Sequence, residues 1–435
     1  MYQKKEIAPI APIEPRELEG MLVEMWEDVL KLDGIGTDED FFELGGDSIA
    51  AVRFTNMLQE RLGEVVQVTV LYEMPTIARL ADYLAESYQD AVASIFGRRI
   101  ARPDGPARSN LTESDVAYVR EKYSQLYRFS DDGRLRRDQA SQRRKNPQAI
   151  FILCTPRSGS TLLRIMLAGH RKLFAPPELL LLPFYSLKQR KDKYFGDRSV
   201  WSEGIIRAIM EINRCDAGQA KEILEQCQEK DLTIQEFYAM IQGSLEGRRL
   251  VDKSPSYAQS RSVIERAEDY FEDALYIHLL RHPMAMIRSY EKQRLEQLSL
   301  SANFGYDSRQ LAELIWIVSH QNILGFLANV PKERQCRVVF EDMVKDPRNV
   351  MEKVCEFLKL EFDEEVLTPY ENQEGKMTDG PTPLSRMLGD AKFHTHKNID
   401  PSIADVWKHA DRPVAVSEIT WQLAEDLGYD RPNER

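Results

Sequence analysis

The stretch FILCTPRSGSTLLRIMLAGH, residues 151–170, admits few folds. A short continuous apolar run is what a strand buried on both faces looks like. A loop of proline, arginine, glycine and hydroxyl residues follows, and an apolar helical run comes after it. Further runs, RLVDKSP, ALYIHLLRHP and RVVFED, also read as strands that end in polar or charged residues, with helical stretches between them. This alternation predicts an α/β fold, a parallel sheet with helices on both faces.

Residues 15–90 read differently. PRELEGMLVEMWEDVLKL places Leu18, Leu22, Met25, Trp26, Val29 and Leu30 at helical spacing, and Pro15 suits a helix start. A polar loop, DGIGTDED, leads to FFELGGDSIAAVRF, and a last helix, TIARLADYLAESY, begins after Pro75. This segment predicts a small helical bundle. Residues 91–147 are basic and irregular, apart from the helical ESDVAYVREKYSQLY, and read as a linker with the entry helix of a second domain. The net charge of −12 is carried entirely by residues 1–90, which hold 19 Asp and Glu against 7 Lys and Arg. An acidic module beside a neutral body suits transient docking on basic patches, and it is equally what soluble acidic helices look like.

Five scattered cysteines, with no C-x-x-C pair, argue against a disulfide framework or zinc site and fit a reducing, cytoplasmic setting. No apolar stretch approaches a membrane span, and the first residues lack a signal-peptide core. Neither a membrane nor a nucleic-acid partner is expected.

Two strings carry chemistry. In LGGDSI, Gly45 and Gly46 permit a tight turn, and Asp47 and Ser48 open a helix whose N-terminus favours a phosphodiester on Ser48. An Asp-Ser pair is also an ordinary helix cap. In TPRSGST, Gly159 allows close backbone approach, Ser158, Ser160 and Thr161 offer hydroxyls, and Arg157 offers a fork of donors at a helix start. The loop is not a Walker A motif, which needs G-x-x-x-x-G-K-[ST]; by itself it could be a serine-rich turn. LRHPMAMIRSY adds Arg281 at a strand end and Ser289 in the next helix. Two such groups on separate strand ends suit a nucleotide with phosphates at both ends of its ribose.

DxFFELGGDSI, with the helices around it, resembles the phosphopantetheine attachment site of acyl and peptidyl carrier proteins. The resemblance implies a four-helix carrier, residues 15–90, with a 4′-phosphopantetheine arm on Ser48, installed by a phosphopantetheinyl transferase. TPRSGST together with LRHPMAMIRSY resembles the PAPS-dependent sulfotransferases. That implies a P-loop-like parallel-sheet domain over residues 148–435. By position, Arg157, Ser158, Gly159, Ser160 and Thr161 would hold the 5′-phosphosulfate, and Arg281 and Ser289 the 3′-phosphate. Arg157 stands where many soluble members carry lysine. The K-[ST]-P segment makes Lys253 a candidate for neutralising the bridging oxygen, the alternative being a solvated loop lysine. Lys392 and Lys397, in DAKFHTHKNID, would close over the 3′-phosphate and adenine. His394 and His396 lack partners at ligand spacing, so no metal is expected.

Sulfonate transfer needs a base for the acceptor's proton. His320 is one candidate, sharing a helix face with Glu313, which would orient it. Glu178, in FAPPELLLL, is the other, a lone carboxylate beside an apolar run. The segment ENQEGKMTDGPTPLSRMLG has the composition of a mobile lid.

A carrier joined to a sulfotransferase resembles the corresponding region of olefin synthase and curacin-type polyketide synthases. The resemblance implies sulfonation of the β-hydroxyl of a carrier-bound 3-hydroxyacyl chain delivered by upstream modules. A separate thioesterase would then drive decarboxylative elimination to a terminal alkene. Alternatives are another hydroxyl on a carrier-bound polyketide or peptide, a P-loop kinase, and a non-catalytic recruiting module.

Overall fold

The computed structural model describes residues 15–96, 110–127, 144–193, 201–293, 304–381, 393, 396–408 and 415–431. It divides into two compact units, Met1–Pro106 with Glu291–Ala302, and Ala107–Tyr290 with Asn303–Arg435.

In the first unit, helices α1 (Pro15–Leu30), α2 (Ser48–Leu62), α3 (Thr69–Glu73), α4 (Ile77–Ser87) and α5 (Gln89–Ile95) enclose one apolar core. Trp26 of α1 lies at its centre, edge-on to Phe41 at 4.9 Å and to Phe54 of α2 at 6.1 Å between ring centroids. The predicted helices are all present. Periodicity did not reveal the short α3 or α5, because helices of five and seven residues carry too few turns for such a signal; α3 completes the four helices that the resemblance implies.

The second unit opens with α6 (Glu113–Leu126), started by a capping box between Thr112 and Asp115. The chain continues through β1 (Ile150–Leu153), α7 (Ser160–Ala168), β2 (Leu173–Phe174), α8 (Leu187–Lys193), α9 (Glu203–Asn213), α10 (Ala217–Glu229), α11 (Ile234–Gly243) and β3 (Arg249–Lys253). After these come α12 (Arg261–Tyr270), β4 (Leu275–Leu280), α13 (Pro283–Lys292), α14 (Ser308–Leu327), β5 (Gln335–Val339), α15 (Phe340–Lys345), α16 (Pro347–Phe357) and α17 (Glu418–Asp426).

The five strands pair in parallel in the order β2-β3-β1-β4-β5. The α/β fold is therefore as expected, with two differences. The strand read at RVVFED stops at Val339, and Phe340 already begins a helix. β2 is only two residues long and gives no pattern. One core lies on each face of the sheet. Leu250 belongs to one and Val251 to the other, as the period of two along a strand requires. Strands β3 and β4 flank β1 on opposite sides, so the chain reverses its direction of winding there. The crevice beyond the carboxyl end of such a strand is where open α/β sheets bind ligands.

Candidate functional site

The loop after β1 is wound tightly. Arg157 and Gly159 both have left-handed backbones, with φ of 59° and 80°. A Cβ at Gly159 would run into the ring of Phe340, so glycine is required for this close approach. The Ser158 hydroxyl is buried and lies 2.5 Å from that of Thr155. It braces the loop from within. No side chain caps α7.

The two arginines expected on separate strand ends are in direct contact. Arg281, just past β4, donates from Nη1 to the Arg157 carbonyl oxygen at 2.6 Å. Arg157 donates from Nε to the Ser289 hydroxyl at 3.1 Å. The Arg281 guanidinium also lies 4.4 Å over the Phe340 ring. Phe340 thus supports both the glycine turn and the arginine, a role that no sequence signal indicated. Trp316 of α14 donates to the Arg281 carbonyl oxygen at 3.1 Å, which fixes the strand end.

Lys253 ends β3 beside β1, in register with Ile152. It is not a solvated loop lysine. Its ammonium is buried and donates to Glu178 Oε1 at 2.7 Å. A buried ion pair persists only when its geometry repays the desolvation, and here the surrounding backbone is held by charged side chains. Arg164 of α7 donates to the Ala175 carbonyl at 3.0 Å and the Lys376 carbonyl at 2.8 Å. Burial pushes the Arg164 guanidinium down to about 9, an effect opposed by the Glu178 charge. A Cβ at Gly204 would collide with the Glu178 carbonyl, so α9 also packs directly on this loop.

His320 lies elsewhere. It is fully buried in α14, and its Nδ1 is 3.0 Å from Nε2 of His278 in β4. Burial, with the neighbouring His278 and Arg337, drives its pKa well below the usual histidine range. The expected orienting contact from Glu313 is absent. Two helical turns separate these residues by about 10 Å of rise, and Trp316 stands between them in sequence. Glu313 Oε1 instead accepts from the Ser417 amide at 2.6 Å and from the Ser417 and Thr420 hydroxyls, tying α17 to α14.

Lys392 and His394 lie outside the described residues. Lys397 is exposed, and no described hydrogen bond ties it to the Arg157–Arg281 cluster. The first part of the anticipated lid, residues 371–381, is anchored. Buried Lys376 donates to the Thr368 carbonyl at 2.5 Å, and Arg207 of α9 donates to Asp379 Oδ1 at 3.0 Å. Residues 382–390 lie outside the described residues. Among the described residues no group of His, Cys, Asp or Glu could hold a metal ion, and no helix is long and apolar enough to cross a membrane.

In the first unit the Asp47 side chain accepts from the Ala50 amide at 2.8 Å and so caps α2, leaving Ser48 as its first residue. Gly45 has φ of 93°, and a Cβ at Gly46 would strike Phe41. The bend that brings Ser48 to the helix start therefore needs both glycines.

An arginine-lined loop between a parallel strand and an uncapped helix, beside a second strand-end arginine, is an α/β arrangement suited to an oxyanion. The chain belongs to the sulfotransferase family, whose model matches residues 147–364. A second match, described as a phosphopantetheine attachment site, covers residues 21–84, so this is a carrier-linked sulfotransferase. Two solved structures are similar. One is the sulfotransferase domain from the curacin biosynthetic pathway, 39% identical, covering 66% of this chain and 100% of that one, with a TM-score of 0.62. The other is the sulfotransferase domain of the Synechococcus PCC 7002 olefin synthase, 38% identical, covering 66% of this chain and 98% of that one, with a TM-score of 0.59. A PKS-NRPS hybrid synthetase of Aspergillus candidus is 37% identical over 103 residues, 24% of this chain. The chain spans only 4% and 2% of the lengths of the first curated relatives it matches.

Proposed function

We propose that the protein transfers a sulfonate group from PAPS to the β-hydroxyl of a 3-hydroxyacyl chain tethered through phosphopantetheine to Ser48. The arm supplies a thiol that holds the acyl group as a thioester. The observation that carries this reading is the joined Arg157–Ser289 and Arg281–Arg157 contacts at the ends of β1 and β4, in a chain that also contains a carrier domain.

In this reading Arg157 and the first amides of α7 hold the 5′-phosphosulfate, and Arg281 and Ser289 hold the 3′-phosphate. Ser160 and Thr161 lie at the start of α7, where their amides and hydroxyls add donors, and Gly159 lets the backbone come close. Lys397, with Lys392, covers the nucleotide. Glu178 takes the hydroxyl proton. Of its carboxylate oxygens, Oε1 is engaged by Lys253, which leaves Oε2 to accept. Glu178 is preferred to His320 because the imidazole is sealed in the interior and bonded to His278. As the acceptor oxygen bonds to sulfur, the bond from sulfur to the bridging oxygen breaks. Lys253 and Arg157 neutralise the charge that develops on the leaving phosphate. Sulfate is a far better leaving group than hydroxide, so the product is activated for elimination once a separate thioesterase frees the carboxylate. Upstream polyketide synthase modules would supply the hydroxyacyl chain, and a phosphopantetheinyl transferase the arm. Five free cysteines support a reducing cytoplasm as the setting.

Sulfur-labelled PAPS, given to pantetheinylated protein loaded with a 3-hydroxyacyl group, tests this reading. Label should appear on the acyl chain and be absent when the 3-deoxy acyl group is loaded. Binding of the adenosine bisphosphate product without any transfer would overturn it.

A further inference from the structure

The loop that carries Glu178 has no secondary structure, yet it is among the most buried backbone in the protein. Leu179, Leu180, Leu181 and Leu182 are each 2% exposed or less. Buried amides and carbonyls need partners, and here side chains supply them. Arg190 donates to the Leu179 and Leu180 carbonyls, each at 3.2 Å, and Arg266 donates to the Leu182 carbonyl at 2.7 Å. On the amide side, Leu180 N donates to the Ser254 hydroxyl at 3.2 Å, and Leu181 N to the Tyr257 hydroxyl at 2.8 Å. Leu182 N donates more weakly to the same Tyr257 oxygen, at 3.4 Å.

Both hydroxyls spend their single proton on one carboxylate. Ser254 donates to Asp252 Oδ1 at 3.2 Å and Tyr257 to Oδ2 at 3.1 Å. Tyr238 of α11 adds a third bond to Oδ2 at 2.5 Å. The carboxylate therefore sets the direction of every bond: protons point toward Asp252, and lone pairs point toward the loop amides. An amide in its place would present N–H groups to these hydroxyls and reverse at least one of them. Successive strand residues face opposite sides of the sheet. Asp252 thus serves the loop from one face while its neighbour Lys253 pairs with Glu178 on the other. Leu180, two residues beyond Glu178, has a left-handed backbone with φ of 51°. Such strain persists only where the surroundings over-determine it.

We propose that Asp252, Ser254 and Tyr257 are positioning residues that hold the Leu180–Leu182 backbone so that Glu178 stands fixed against Lys253. The inference rests on Glu178 being the base. Tyr257 touches no substrate and acts only through the loop. Loss of its hydroxyl frees two amides and lets the carboxylate drift. The donor grip at Arg157 and Arg281 is on other strand ends and is left intact.

The test is a double-mutant cycle on the full pantetheinylated chain. Single-turnover transfer from PAPS is measured for wild type, Y257F, E178Q and the double variant, and calorimetry gives the affinity of each for adenosine bisphosphate. Y257F should slow transfer roughly tenfold to a hundredfold, the scale of a misplaced catalytic group, with product affinity within about twofold of wild type. In the E178Q background the same change should cost less than about twofold. Equal losses in both backgrounds, or a parallel loss of nucleotide affinity, would show a merely structural tyrosine and overturn the proposal. A wild-type rate for E178Q would reject Glu178 as the base, a separate failure that takes the network with it. Should Y257F not fold, S254A, which removes only the Leu180 partner, should give a smaller loss with the same dependence on Glu178.

Discussion

The two units solve the problem of placing a reactive group in opposite ways. The carrier unit surrounds an apolar, aromatic core, Trp26 with Phe41 and Phe54, and sets Ser48 at a helix start by a local bend and a single cap. The sulfotransferase unit buries charge throughout: Arg164, Arg190, Arg207, Arg266, Lys253, Asp252, Glu313 and Lys376 are all within its interior. A serine proposed to be modified and then carry cargo needs a helix end, which a few contiguous residues provide. A site proposed to grip a multiply charged anionic donor and hold a base needs rigid side chains from several strand ends, and buried arginines that satisfy irregular backbone supply that rigidity.

This contrast can be broken most completely at Ser48. S48A should abolish pantetheinylation, seen as the absence of the mass increase with coenzyme A. Sulfonation of the tethered chain should vanish with it, while affinity for adenosine bisphosphate stays unchanged. A weakened nucleotide site in S48A would mean that the two units do not divide the work in this way.

Acid should separate the units next. All seven histidines lie in the second unit, and burial pushes His278 and His282 each down to about 3. Their folded state refuses protons that the unfolded chain accepts below its ordinary value. Stability is therefore lost progressively as pH falls from about 6.5 toward 3, by about 4–5 kcal/mol for each at the limit. Asp252 acts in the opposite direction. Burial raises it to about 6, so protonation below that pH favours the folded state by about 3 kcal/mol at most. The histidines win. Thermal unfolding followed by fluorescence and circular dichroism should show the sulfotransferase transition collapsing below about pH 5 while the histidine-free carrier still melts cooperatively. Simultaneous loss of both would contradict the comparison.

The smallest of the three effects sharpens the donor site. R281A removes a charged donor and its support to the Arg157 carbonyl, a loss of about 2 kcal/mol, or roughly thirtyfold in affinity for adenosine bisphosphate. Calorimetry measures it, and pantetheinylation of Ser48 should proceed at the wild-type rate.

Much of this was legible in the amino-acid order. The Ser48 string, the loop at residues 155–161 and the Arg281–Ser289 spacing are contiguous, and each names its own local structure: turn, helix start, strand end. The longer helices of the carrier followed from periodicity and four of the strands from short apolar runs, while the short α3 and α5 gave no such signal. The Glu313–His320 pairing failed for a physical reason: sharing a helix face is not contact when the residues are two turns apart. The anticipated lid failed in its first half because composition does not reveal the buried Lys376 and Arg207 that hold it. Asp252 carried a faint signal, a charge inside a strand run, but nothing nearby in the chain named Tyr238 or Leu181 as its dependants.

The sequence by itself determined the class of fold, the division into a carrier and a sulfotransferase, and the strings that place Arg157 and Arg281 at strand ends, because short contiguous strings encode backbone geometry directly. Only the tertiary structure decided that Glu178 meets Lys253, that His320 is sealed against His278, and that Phe340 supports both glycine and arginine. Those contacts join residues 42 to 181 positions apart. They exist because parallel strands bring distant chain ends to one edge, which no local pattern of residues records.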